Sequence, residues 1–236
     1  MNNIILSGKH LGKTYGKNIV LQDVSIQVLQ GQIYGLIGKN GSGKTTLLRI
    51  LTGLIQEYSG VVTINQNYKI SAVINSPALF LNMSAFENLK EQAILLGLSD
   101  DSNIKEVLKI VGLENCRNQP VRDFSLGMTQ RLKLAMSLLK KPDILILDEP
   151  INGLDPDGIV DLRNLLRKLN QEIGMTIIIS SHILSELEHT ATCFGILANG
   201  RIMRVITEEE LQKEGITLED VYMQYTKGGD YNAEYY

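Results

Sequence analysis

Tryptophan is missing from the 236-residue sequence, cysteine and proline are sparse at two and five residues, and aromatic residues make up 6%. The two cysteines, Cys116 and Cys193, lie far apart and match no metal-ligand or redox spacing, so they read as reduced thiols. Nowhere do apolar residues run on for more than a handful, far short of the roughly 20 needed to span a bilayer. No basic segment followed by a long apolar run opens the chain, so no secretory signal is expected. Charge of one sign is also lacking: 23 basic and 26 acidic residues are interspersed and leave a net charge of −3. That balance gives no electrostatic reason to expect nucleic acid or anionic lipid as a direct ligand. What remains is a cytosolic, globular chain whose 44% hydrophobic share supplies a substantial core, as one large domain or one domain with two lobes. Any work at a membrane needs another polypeptide for the membrane part.

What the sequence does hold is chemistry for phosphate. Gly38-Lys39-Asn40-Gly41-Ser42-Gly43-Lys44-Thr45 fits G-x-x-x-x-G-K-[ST], the phosphate-binding loop of P-loop NTPases. Its setting agrees: Ile33 to Ile37 read as a buried strand, and Thr46 to Leu54 carry apolar residues at helical spacing. A strand, a glycine-rich turn and a helix start aim successive N–H groups and the positive helix end at one anion. Lys44 adds a charge for the β- and γ-phosphates, and the Thr45 hydroxyl suits Mg²⁺. A second buried strand, Ile144-Leu145-Ile146-Leu147, ends in Asp148-Glu149. At such a strand end the aspartate is expected to hold the metal and the adjacent glutamate to orient and deprotonate the attacking water.

Organisation along the chain predicts an α/β core with a mixed sheet. Short strands with turns are expected up to about Ile64, at Ile19 to Leu21, Val24 to Val28, Ile33 to Ile37 and Val61 to Ile64. Ser84-Ala85-Phe86-Glu87 is a capping box opening a helix to about Leu96. Ile104, Val107, Leu108 and Val111 mark a second helix, and Leu132, Ala135, Met136 and Leu139 a third. Residues 78–138 thus read as a helical insert. Beyond it come a helix (Ile159 to Leu169), a strand (Thr176 to Ile179), a short helix, and a strand pair joined by Asn199-Gly200, a hairpin signal. Thr207 to Glu210 and Thr217 to Asp220 cap small terminal helices. The segment from Lys227 to Tyr236 has no period and reads as a frayed tail.

Phe124-Ser125-Leu126-Gly127-Met128 resembles the signature motif of ATP-binding cassette (ABC) ATPases, which mostly reads Leu-Ser-Gly-Gly-Gln; Leu126 and Met128 depart from it. Tyr15 resembles the aromatic that stacks on adenine, Gly153-Leu154-Asp155 the D-loop, and Ser180-Ser181-His182 the switch histidine. Six motifs occur in the family's order and cover nearly the whole chain. The resemblance implies a single ABC ATPase domain over residues 1–226, with a RecA-like core (1–77 and 139–226), an antiparallel β region and the helical subdomain at about 78–138. It implies ATP and Mg²⁺ as cofactors, with Tyr15, Gly38, Asn40, Gly41, Ser42, Gly43, Lys44, Thr45 and Thr46 on nucleotide. Thr45 and Asp148 are then on the metal, Glu149 is the general base, and His182 is the γ-phosphate sensor. The helix that starts near Ser125 is expected to act across a dimer, capping nucleotide held by a second ATPase subunit, and Gly127 and Asp155 are also implied on nucleotide. Asp155 also reads as a helix cap.

Within the family, Ser-Leu-Gly-Met, Gln130-Arg131-Leu132, Asn152 to Pro156 and the Ile74 to Phe80 segment look most like the bacterial ATPases of bacitracin and lantibiotic export and self-protection. Asn75 stands where that group has Glu and other ABC ATPases Gln; it is expected near Mg²⁺ or the attacking water, chiefly as a coupling residue. Ile151 also replaces the usual Thr or Ser. The implied partners are transmembrane permease subunits, at the inner face of the cell membrane, and no nucleic acid. Two rival readings stay open: an energising subunit for lipid or lipoprotein extraction or force transmission, and a soluble non-transport ABC ATPase.

Overall fold

The structure, a computed structural model, describes residues 3–74, 77–98 and 100–227. Its centre is a six-stranded sheet in the order β5-β6-β7-β3-β8-β9, built from β5 (Ile70–Val73), β6 (Ile144–Asp148), β7 (Thr176–Ser181), β3 (Ile33–Ile37), β8 (Cys193–Ala198) and β9 (Arg201–Thr207). All neighbours are parallel except β8 and β9, the hairpin that turns through Asn199 and Gly200 at φ 48° and 72°. A second, antiparallel sheet, β2-β1-β4, comprises β1 (Ile4–Tyr15), β2 (Asn18–Leu29) and β4 (Ser59–Ile64).

Strand periodicity sorts the core into two faces. Ile33, Ile37, Leu145, Leu147, Ile177 and Ile179 belong to one apolar cluster; Tyr34, Leu36, Ile144, Ile146 and Ile178 belong to the other. Side chains alternate across a strand, so continuous aliphatic runs are what a sheet covered on both faces requires. The first face meets α4 (Leu126–Leu138) and α5 (Pro156–Ile173); the second meets α1 (Lys44–Leu51) and the antiparallel sheet. Helices α2 (Ala85–Leu95), α3 (Ser102–Ile110) and α4 pack on one another, and α4 reaches β5. The short α6 (Leu184–Glu188), α7 (Glu208–Glu214) and α8 (Leu218–Lys227) are the remaining α-helices among the described residues.

The local start signals hold. Ser84 and Glu87 exchange both capping-box bonds, as do Thr207 and Glu210, and Thr217 exchanges equivalent bonds with Asp220. The antiparallel region differs from expectation. In place of short separate strands, β1 and β2 are continuous twelve-residue strands. Their pairing shifts register repeatedly, including between Gly8 and Leu11, and His10 and Asp23 sit at φ 52° and 58°. Each bulge resets which face a residue occupies, and this breaks the alternation a sequence scan relies on. The edge strand β5, half-buried throughout, has no predicted counterpart. The helix expected to reach Leu54 stops at Leu51, where Gly53 turns the chain at φ 74°. Asn75 and the tail from residue 228 lie outside the described residues. Among those described, no helix is long and apolar enough to cross a membrane.

One contact in the central sheet makes a sharp prediction. Tyr34 is fully buried, its hydroxyl has no hydrogen-bond partner, and a Cβ built on Gly195 would lie 2.1 Å from Tyr34 Oη. Gly195→Ala is therefore expected to cost about 2–3 kcal/mol in urea unfolding. Tyr34→Phe, which removes an orphan polar group, is expected to stabilise by about 1 kcal/mol and to lessen the Gly195→Ala penalty.

Candidate active site

Parallel strands deliver their carboxyl ends to one edge of the sheet, where open α/β sheets place ligands. Here β3 ends at the phosphate loop, β6 in Asp148, and β7 just before His182. Gly41 and Gly43 adopt φ 82° and 106°, conformations that glycine supplies at no steric cost. A Cβ on Gly38 would lie 2.4 Å from Ser42 Oγ, so the loop closes only around glycine there. Gly43 is the N-cap of α1, without a side-chain cap and with no acidic residue in the first turn. The free N–H groups of Lys44, Thr45 and Thr46 thus face outward at the positive end of the helix, an anion site by construction. The Ser42 hydroxyl is buried without a partner, an orphan that a phosphate oxygen would satisfy.

Lys44 is 5% exposed, and its ammonium donates to Gly38 O at 2.7 Å and to Lys39 O at 3.2 Å. Its third contact is Glu149 Oε1 at 2.9 Å. Glu149 has a left-handed backbone, φ 50°, a strained state for a side chain of its size. It follows Asp148 at the end of β6 and points its carboxylate back over the loop. Oε2 accepts from Asn152 Nδ2 at 2.7 Å and lies 2.6 Å from His182 Nδ1. Because an ionised carboxylate only accepts, Nδ1 carries a proton and Nε2 is left for a ligand. Burial pushes the Glu149 carboxyl up, but the donors from Lys44, Asn152 and His182 outweigh it and hold the group below the ordinary glutamate value. A carboxylate lowered in this way stabilises the fold above its unfolded pKa, and that contribution is lost as pH falls through the lower folded value.

Asp148 is held just as tightly. Thr45 Oγ1 donates to its Oδ2 at 2.7 Å, and Ser180 Oγ to its Oδ1 at 2.6 Å; the same Ser180 oxygen accepts the Glu149 N–H at 2.9 Å. The hydroxyl and carboxylate oxygens of Thr45 and Asp148 are hard ligands of the type that Mg²⁺ takes. Among the described residues no three His, Cys, Asp or Glu side chains gather as a metal cluster, so a cation here would depend on nucleotide oxygens as well.

The structure therefore brings Lys44, Thr45, Asp148, Glu149 and His182 into one network. It does not join Tyr15, Ser125 or Asp155 to that network by any hydrogen bond or ion pair among the described residues. Tyr15 ends β1 half exposed, with the Lys13 ammonium 5.1 Å from its ring centroid. Ser125 caps α4, accepting from the Met128 N–H at 3.2 Å, with Gly127 in the first turn; Asp155 caps α5 through the Gly158 N–H at 2.9 Å. Two participants went unassigned from sequence, Asn152 and Ser180. Each stands inside a quoted motif, and Ser180 is the β7 residue registered opposite Asp148.

Comparison with known proteins agrees with this geometry. Residues 21–152 match the ABC transporter family profile. The chain belongs to the ABC transporter family. It is an ATP-binding, ATP-hydrolysing subunit of such a transporter. The lantibiotic transport ATP-binding protein SrtF of Streptococcus pyogenes is 45% identical over 206 residues, covering 84% of this chain and 89% of that protein. The bacitracin transport ATP-binding protein BcrA of Bacillus licheniformis is 42% identical over 219 residues, covering 89% and 72%. The ADP conformation of MJ1267, an ATP-binding cassette of an ABC transporter, superposes with a TM-score of 0.82 at 25% identity, covering 89% of this chain and 94% of that one.

Ser180 gives the prediction specific to this network. Ser180→Ala leaves a half-buried Asp148 oxygen and the Glu149 N–H without this partner, so this ABC ATPase should lose about 1–3 kcal/mol in urea unfolding. A loss below about 0.5 kcal/mol would mean that the hydroxyl does not organise the two carboxylates.

Proposed function

We propose that this ATPase subunit drives export of antimicrobial peptides or other amphipathic compounds, working at the inner face of the cell membrane through transmembrane permease subunits and in a pair with a second ATPase subunit. The observation that carries the mechanism is the convergence of Lys44, Asn152 and His182 on the Glu149 carboxylate. The similarity to SrtF and BcrA, named for lantibiotic and bacitracin transport, supports the substrate class. One ABC ATPase domain spans residues 1–226, its core at 1–77 and 139–226 and its helical subdomain at about 78–138.

In this reading Gly38 to Thr46 bind the phosphates by backbone N–H groups, and Lys44 neutralises β- and γ-oxygens once it exchanges Glu149 for them. Tyr15 offers a face to adenine. Thr45 and Asp148 hold Mg²⁺, which supplies electrostatic stabilisation of charge developing on the transferred phosphoryl group. Glu149, released from Lys44, accepts the proton of the attacking water. His182, oriented through Nδ1, presents Nε2 to the γ-phosphate. The positive N-terminus of α4 with Ser125 and Gly127, and Asp155 beside it, face the nucleotide of the opposing subunit. ATP is then the ligand that joins the dimer, and loss of the γ-phosphate opens it. Asn75 keeps the coupling role that the resemblance implies.

Expression together with its membrane partner should raise the tolerance of a sensitive strain to bacitracin or a lantibiotic. Glu149→Gln should abolish that protection and slow turnover of the purified subunit by about 10²–10⁴-fold with ATP still bound. Turnover near the wild-type rate would remove Glu149 as the base. Unchanged tolerance, from an active ATPase in complex with its partner, would remove the export reading.

A further inference from the structure

Leu126 stands in the signature motif where most such motifs have glycine, and at 47% exposure it is too open to be an ordinary core residue. Its neighbour explains it. A Cβ built on Gly153 would lie 3.1 Å from Leu126 Cδ2, and Gly153 adopts φ 79°. The left-handed backbone favours glycine at 153, and a side chain there would crowd the leucine. The larger residue in one motif is matched by the smallest in the other, within a single subunit.

The turn that Leu126 covers is short and internally bonded. Asn152 N–H donates to Glu149 O at 3.3 Å and Leu154 N–H to Ile151 O at 3.2 Å. One residue before Gly153, the Asn152 amide donates to Glu149 Oε2 at 2.7 Å. Two residues after it, Asp155 anchors the start of α5. Farther along, Arg131 of α4 lies 3.7 Å from Asp161 of α5, so the two helices are tied at a second point. Contacts within the chain thus run from the first residue of α4 through Gly153 and Asn152 to Glu149.

We propose that Leu126 is a positioning residue for Glu149 of its own subunit: seated over Gly153, it fixes the turn whose Asn152 amide holds the Glu149 carboxylate. The signature segment then serves two sites, the partner's nucleotide through Ser125 and its own subunit's base through Leu126. This inference rests on the proposed roles of Glu149 and Ser125.

Mixed dimers test it. A Lys44→Ala chain, supplied in excess, loses its own phosphate site but keeps Ser125. Paired with a Lys44-bearing chain it leaves one composite site, with Glu149 on one chain and Ser125 on the other. Leu126→Gly is placed on either chain in turn. Turnover should fall about 10–100-fold when the substitution is on the Glu149-bearing chain, and less when it is on the Ser125-bearing chain. Binding of a fluorescent ATP analogue should hold, which separates kcat from affinity. Leu126→Met, which refills the space over Gly153, should recover most of the loss. An equal or larger loss from the Ser125-bearing chain overturns the inference, as does a fall in nucleotide affinity that accounts for the whole effect. If heterodimers form and the unsubstituted mixture is inactive, the composite-site reading fails separately. A homodimer cycle of Leu126→Gly with Asn152→Ala then decides: a double variant whose kcat is no lower than that of Asn152→Ala alone upholds the positioning role, and additive losses overturn it.

Discussion

A buried ammonium beside a glycine-rich loop must have an anion or enough acceptors, because an unpaired charge removed from water costs several kcal/mol. In this ABC ATPase, Lys44 meets that requirement internally, with two loop carbonyls and the Glu149 carboxylate. Much of the site's construction follows from that ion pair. Glu149 takes a left-handed backbone to reach it, Asn152 and His182 fix its second oxygen, and Ser180 holds its N–H. The same carboxylate occupies the place where the proposed mechanism brings phosphate to Lys44. In the mechanism we propose, nucleotide binding is an exchange of anions on Lys44, and the displaced Glu149 is freed for water when phosphate arrives.

The exchange reaches beyond the loop because Glu149 is bonded to two elements at once. Asn152 opens the turn into α5, and His182 opens the segment into α6. Moving one carboxylate alters the restraint on both. In the proposed mechanism, phosphate occupancy passes to both flanking helices through Glu149, alongside the contact of His182 with the γ-phosphate.

Parts of this arrangement were legible from sequence because they are local. The phosphate loop, the fully buried strand Ile33–Ile37, and the capping boxes at Ser84 and Thr207 are each fixed by neighbours within a few residues. Asp148-Glu149 and His182 were legible because buried strands precede them and motifs surround them. The rest depends on contacts between distant residues. The bulges that join β1 and β2 into long strands are set by pairing across the sheet. Ser180 becomes important only because β7 lies beside β6 and sets it opposite Asp148. Leu126 appears as a departure from a motif until Gly153 is seen beneath it. Sequence spacing names the chemical groups; three-dimensional register decides which of them touch.

The anion exchange on Lys44 is tested most directly by ADP affinity without Mg²⁺, where neither hydrolysis nor dimer trapping enters. Wild type is compared with Glu149→Gln and Glu149→Asp. Asp keeps the negative charge but draws the carboxylate back by about 1.5 Å, out of reach of Lys44. Exchange predicts that both variants bind ADP more tightly than wild type, by about tenfold or more for a lost charge-assisted bond. Tighter binding by Glu149→Gln alone, with Glu149→Asp no better than wild type, would show that only the charge matters and would contradict the account.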